Sequence, residues 1–197
     1  MSLKIAGGFY KGLRLETPSS HTTRPTQEML RMAVFNMCQH KIEHASFLDL
    51  YAGSGAMGLE AFSRGAKSAT FVEKDRNALV ALKKNIAKFP QEAALHLLPY
   101  YVKTALKKLD GQTFDLVYID PPYGDKKLET HFEKELEDLL FYLDSSPLLA
   151  LQASVFVEFS SYCKKDFTTL PLTHLKGESK KTFGRSLLFT LKKSQLV

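Results

Sequence analysis

Cysteine is scarce in this chain and long apolar runs are missing. Two cysteines, Cys38 and Cys163, stand far apart in 197 residues. That excludes a disulfide framework, and a chain of this length needs none to hold a core. Cys38 falls on the apolar face of an expected helix, so we expect a buried thiol and a reducing, cytoplasmic compartment. No apolar run approaches the roughly 20 residues of a membrane span. The N-terminus lacks the basic-then-apolar pattern of a secretion signal. The six histidines, His21, His40, His44, His96, His131 and His174, show no metal-ligand spacing, so no metal is expected. There is no internal repeat and no low-complexity stretch.

What is present has the composition of a soluble globular protein: 44% hydrophobic and 24% charged residues. We expect a main domain over 46–197 and a small extension over 1–45. The net charge of +6 is unevenly spread. Residues 1–45 carry 6 basic and 3 acidic side chains, and 158–197 carry 8 and 3. The centre, 46–157, carries 13 and 15. Basic flanks around a slightly acidic middle suit a polyanionic partner, although lysines that only solubilise the chain would look the same.

The centre alternates short apolar runs with helical patterns. Strands are expected at Phe47–Tyr51, Ala69–Glu73, Leu95–Pro99, Phe114–Asp120 and Ser154–Ser160, with helices near 56–65, 75–88, 101–109 and 126–143. That alternation predicts a parallel sheet covered on both faces. Asp75 is a natural cap for the second of these helices, whose apolar face is Leu79, Leu82, Ile86 and Phe89. Segments near 171–178 and 185–192 have no helix between them and include a turn at Gly184, so they should form an antiparallel edge pair. Upstream, residues 4–6 and 13–15 flank a glycine-rich turn and should make a small hairpin. Leu30, Ala33, Val34, Met37 and Cys38 mark one face of a helix, with Thr26 as its expected cap. The acidic stretch Glu129–Asp138 should be the wet face of a helix, away from any polyanion.

The first central strand runs into Asp49-Leu50-Tyr51-Ala52-Gly53-Ser54-Gly55-Ala56-Met57-Gly58 and opens a helix. The glycines match G-x-G-x-x-G. Gly53 would allow the turn, Gly55 a close approach of ligand to backbone, and Gly58 the packing of helix on strand. Glu73, 20 positions beyond Gly53, stands where a carboxylate can accept ribose hydroxyls. The motif alone fits NAD, FAD or S-adenosylmethionine. Asp49 favours the last, because a carboxylate before the glycines repels pyrophosphate and attracts the ammonium of a methionine moiety.

The fourth strand ends in Asp120-Pro121-Pro122-Tyr123. Ligands bind beyond the carboxyl ends of such strands. The exocyclic amine of a nucleic-acid base is a poor nucleophile, since its lone pair is delocalised into the ring. Asp120 and the Pro121 carbonyl can each accept one of its N–H bonds, while the two prolines hold the acceptors rigid. Tyr123 offers a flat face for an extruded base. A sulfonium is already a good leaving group, so orientation and electrostatics suffice for in-line transfer.

These elements resemble motifs I, II and IV of Rossmann-fold amino-methyltransferases. Ile5-Ala6-Gly7, Lys11-Gly12, Arg24-Pro25-Thr26, Arg31, Phe35-Asn36 and Tyr51-Ala52-Gly53-Ser54-Gly55-Ala56 further resemble the bacterial RsmD family, over about residues 4–192. The resemblance implies a class I, Rossmann-like α/β fold. Its seven-stranded, mostly parallel sheet would carry an antiparallel C-terminal edge hairpin, with a small N-terminal hairpin and helix. It implies S-adenosylmethionine-dependent methylation of a guanine N2 in 16S ribosomal RNA, free or in the small ribosomal subunit, by a monomer. Cofactor contacts are then expected from Asp49, Gly53, Ser54, Gly55, Glu73, Lys74, Tyr101, Thr26 and Asp120. Lys4, Lys11, Arg14, Arg24, Arg31, Lys180, Lys181 and Arg185 become RNA contacts, with Arg24 and Arg31 alternatively holding the cofactor carboxylate. Two departures stand out. Pro99-Tyr100-Tyr101 replaces a small polar residue near the cofactor adenine, which backbone groups or tyrosine stacking would then hold, and Met32 replaces an acidic residue. Competing functions are a DNA adenine-N6 methyltransferase, an NAD-binding oxidoreductase and a catalytically silent RNA-binding module.

Overall fold

A computed structural model describes residues 3–18, 25–122 and 129–194, with the side chains of 25, 26 and 129–131 left aside. The elements run α1 (Pro25–Met37), β1 (Ser46–Leu50), α2 (Ala56–Ser63), β2 (Ser68–Val72), α3 (Arg76–Ile86), β3 (Leu95–Leu98) and α4 (Val102–Lys108). Then follow β4 (Phe114–Ile119), α5 (Glu129–Ser145), β5 (Leu149–Ser160), a short 3-10 turn (Phe167–Thr169), β6 (Leu175–Phe183) and β7 (Ser186–Lys193). The seven strands form one sheet in the order β3-β2-β1-β4-β5-β7-β6. The first five are parallel, and β7 is antiparallel to both β5 and β6. The expected α/β class and antiparallel edge pair are therefore present. Among the described residues no helix is long and apolar enough to cross a membrane.

Alternation along the strands divides the core. Leu48, Leu50, Val117, Ile119, Val155 and Val157 point to the face covered by α4 and α5. Phe47, Phe71, Leu116 and Phe156 point to the other, where Leu3, Ile5 and Leu15 of the N-terminal segment and Leu30, Val34 and Phe35 of α1 meet them. Both faces are dry, which is why these strands read as nearly unbroken apolar runs.

Local chemistry accounts for the boundaries. Asp75 caps α3 as expected, its Oδ1 accepting from the backbone N–H of Asn77 and Ala78 at 3.0 and 2.8 Å. Helix α1 starts one residue before the expected cap, with Pro25 as its first residue; proline suits the first helical position because no N–H is needed there. Cys38 and Cys163 are both free and buried. The first edge strand lies at 175–183 rather than 171–178. Asp144, near the end of α5, takes the backbone N–H groups of Thr173, His174 and Leu175 at 2.8, 2.8 and 2.6 Å, so this stretch is anchored to the helix before pairing begins.

Burial opposes ionisation of Asp144, but those three N–H donors outweigh it and hold its carboxyl below the usual aspartate range. Its stabilising contribution is complete above the unfolded aspartate pKa and is lost as pH falls through the lower folded value. Asp144→Ala should cost about 2–3 kcal/mol near neutral pH. The deficit should shrink in strong acid, as read from urea midpoints at several pH values.

Candidate functional site

The chain winds from β1 outward through β2 to β3, and α4 then returns it to β4 on the opposite side of β1. The order reverses between β1 and β4, and crevices form at such switch points beyond the carboxyl ends of the strands. β1 and β4 are parallel neighbours, with Leu50 opposite Ile119 and the Asp120 N–H donating to the Leu50 carbonyl at 3.3 Å. The glycine bend and the Asp120-Pro121-Pro122 corner therefore share one edge of the sheet.

The bend is built from opposed constraints. Tyr51 takes a left-handed φ of 64°, unusual for a residue with a side chain. Burial, then the charge and hydrogen bond of Glu135 on α5, push its phenol pKa upward. Among the described residues, and apart from its chain neighbours, nothing lies within 4 Å of where a Cβ would stand at Gly53 (φ 56°), so a ligand can approach the backbone there. Gly55 (φ 81°) instead packs on α3, where a Cβ would lie 2.4 Å from Leu82 Cδ1. A Cβ at Gly58 would lie 2.3 Å from Phe71 of β2, which fits its expected role in helix–strand packing. Gly55 thus also serves packing, since its bare Cα lets α3 approach the bend.

Three carboxylates converge on this edge. Asp49 is buried and its Oδ2 accepts from the Gly58 N–H at 2.9 Å. Burial, against that hydrogen bond, pushes its carboxyl up to about 7. Glu73, just past β2, accepts from the Gly53 N–H through Oε2 at 2.8 Å, and from the Lys74 and Asp75 N–H through Oε1 at 2.7 Å each. These bonds fix its orientation and leave some acceptor capacity open. Asp120 is raised well above the ordinary aspartate range by burial, then by the charges of Glu158 and Asp49.

Other expected residues are placed as follows. The Lys74 ammonium lies 4.3 Å from the centroid of the Tyr101 ring, which is 66% exposed just before α4. Ser54 offers its carbonyl to Asn85 Nδ2 at 2.9 Å. Pro121 is buried and Pro122 exposed. Tyr123 and Arg24 lie outside the described residues, as does the Thr26 side chain. Lys4 and Arg14 face each other across the N-terminal hairpin, and they and Lys11 are exposed. Arg185 is exposed in the turn before β7, which begins opposite Ser160 at the carboxyl end of β5. Lys181 is exposed; Lys180 pairs with Asp166 at 3.3 Å. Arg31 does not join this basic surface. It is 5% exposed, and its guanidinium donates to the Lys4 carbonyl and lies 3.8 Å from Glu60. An arginine so enclosed cannot meet a phosphate without leaving that pocket. Among the described residues no three His, Cys, Asp or Glu side chains cluster as metal ligands.

Two contributors were not anticipated. Asn85, fully buried, accepts from the Glu16 N–H and donates to the carbonyls of Glu16 and Ser54, tying the N-terminal segment to the glycine bend. Its signal is a polar residue three positions after Leu82, on the apolar face of α3. Glu158 of β5 is buried, accepts from Tyr118 Oη and from Ser186 Oγ at 2.8 Å, and bears electrostatically on Asp120.

Residues 3–191 match the family model described as "Conserved hypothetical protein 95". The ribosomal RNA small subunit methyltransferase D of Escherichia coli K12 is 34% identical over 156 residues, covering 79% of this chain and 74% of that protein. The chain belongs to the RsmD family. The fold agrees with that membership. A solved structure of the putative methyltransferase yhhF from Escherichia coli superposes over 100% of both chains, with TM-score 0.80 and 27% identity. SMU.776, a putative methyltransferase complexed with SAH, shares the fold at TM-score 0.66 and 14% identity, over 86% of this chain and 50% of that one. As a member of the RsmD family the chain is a methyltransferase, and the shared edge of β1 and β4 is its candidate active site.

Proposed function

We propose that this methyltransferase carries the methyl group of S-adenosylmethionine to N2 of a guanine in 16S ribosomal RNA. The observation that carries the reading is the placing of Asp120 beside the glycine bend at the switch point between β1 and β4. Glu73 takes the ribose and the open side of Gly53 takes the methionine end, while the buried Asp49 holds the glycine bend through Gly58 from behind. Tyr101, with Lys74 over it, offers its ring to the adenine in place of a small polar residue. The cofactor supplies an electrophilic methyl carbon and a neutral thioether leaving group. Asp120 and the Pro121 carbonyl hold the two N–H bonds of the base amine, turning the nitrogen lone pair toward that carbon. The product nitrogen sheds its proton after transfer.

RNA, rather than DNA, is supported by family membership and by exposed Lys4, Lys11, Arg14, Lys181 and Arg185, of which Arg185 lies at the carboxyl end of the sheet beside β5. The reaction belongs in the cytoplasm, on 16S ribosomal RNA or a small-subunit particle, and the enzyme acts as a monomer. Incubation with labelled cofactor and unmodified 16S ribosomal RNA should give N2-methylguanosine on nucleoside digestion, and no label in DNA. Label on adenine N6, or in DNA alone, would end the guanine reading.

A further inference from the structure

We propose that Phe9 is a stacking platform for an unpaired base of the RNA substrate, flanked by Lys4, Lys11 and Arg14 as phosphate contacts. The proposal rests on the RNA reading above for the identity of that substrate. Phe9 is 89% exposed, whereas its neighbour Tyr10 packs its ring 4.6 Å from Phe89 and 6.3 Å from Phe62. A single exposed apolar side chain is common on protein surfaces and marks no site by itself, least of all on a loose loop. Phe9 stands instead on a tightly fixed turn. Its own N–H donates to the Ser63 carbonyl at 2.7 Å, the Tyr10 N–H donates to Ser63 Oγ at 3.0 Å, and Ser63 Oγ donates to the Gly7 carbonyl at 2.6 Å. The Gly12 N–H donates to the Ile5 carbonyl at 2.9 Å and closes the hairpin. Gly8 has φ 79°, and a Cβ there would lie 1.8 Å from the Ser63 carbonyl oxygen, so the docking needs glycine.

The backbone thus holds one aromatic ring outward, where it adds little to the core. Lys4 and Arg14 face each other on the hairpin behind it, and Lys11 lies two residues on; all three are exposed. A π face among cations is the chemistry that binds single-stranded nucleic acid: bases stack on the ring and phosphates meet the charges. A lipid surface or a protein partner would call for a wider apolar patch. The turn docks on the far end of α2 from the glycine bend, about 12 Å along an eight-residue helix. Phe9 therefore grips RNA away from the reacting base, and it acts on affinity rather than on the chemical step.

The chain contains no tryptophan, so Phe9→Trp installs a single fluorescent reporter on an exposed site. Titration with a 15-nucleotide oligoadenylate should quench it at low salt, with recovery at about 0.5 M salt. Phe9→Ala and Phe9→Leu should each raise KM for unmodified 16S ribosomal RNA about tenfold, with kcat and cofactor affinity unchanged. Leucine keeps apolar area but has no π face. Parental KM in Phe9→Leu, or an unquenched tryptophan at saturating RNA, overturns the proposal. Quenching by oligoadenylate in a protein whose parent methylates no RNA would uphold the stacking site and sink the substrate reading instead.

Discussion

Asp120→Ala should lower kcat for methyl transfer at least about 100-fold while leaving cofactor affinity within a few-fold, as calorimetry would show. The asymmetry follows from placement. Asp120 closes β4, whereas the anchors proposed for the cofactor, Glu73 and the glycine bend, follow β2 and β1. Removing the side chain takes one acceptor from the base amine without disturbing those anchors. Its backbone N–H would still meet the Leu50 carbonyl, so the corner should keep its course. The effect should also carry a pH signature. A protonated carboxyl can donate to the amine but accepts from it poorly. Burial, Glu158 and Asp49 all raise the Asp120 pKa, so activity should climb with pH along an acid limb above the usual aspartate range. Glu158→Gln, by removing one neighbouring charge, should move that limb to lower pH. Full turnover in Asp120→Ala, or a limb indifferent to Glu158, would dismantle this account of the corner.

Much of this edge was legible in the sequence because its signals are local. A strand, a glycine bend and a cap are written within a dozen residues, and Asp49–Gly58, Asp75 and Asp120–Pro122 fall where their spacing places them. Pairing between distant segments was less legible. The packing of Gly55 was not legible because what it faces is α3, and Leu82 is 27 positions from Gly55 in the chain. The edge strand slid because Asp144, about 30 positions upstream, claims the backbone ahead of it. Arg31 looks like any other basic residue of the N-terminal segment until Glu60 is seen beside it. Charge totals count such an arginine as surface, and only the fold reveals that its partner lies inside.

That partner supports the second large expectation. Glu60→Ala should destabilise the protein by about 3–5 kcal/mol, lowering the melting temperature by roughly 10 °C or more. Glu60 is fully buried in α2 and its two oxygens serve three segments. Oε1 accepts from Arg64 Nε at 2.7 Å, and Oε2 accepts from the Ala6 N–H at 2.7 Å and lies 3.8 Å from Arg31 Nε of α1. Truncation strands a buried guanidinium whose pKa burial already lowers, and leaves the Ala6 N–H in the hairpin without its acceptor. Glu60→Gln keeps one acceptor for Ala6 and should cost clearly less. If the loss comes from stranded charge rather than from the missing side chain, replacing Arg31 by Met in the Glu60→Ala protein should restore part of the stability. If instead the double variant loses the sum of the single losses, the two residues are not coupled and the hairpin is held by its apolar contacts at Leu3, Ile5 and Leu15.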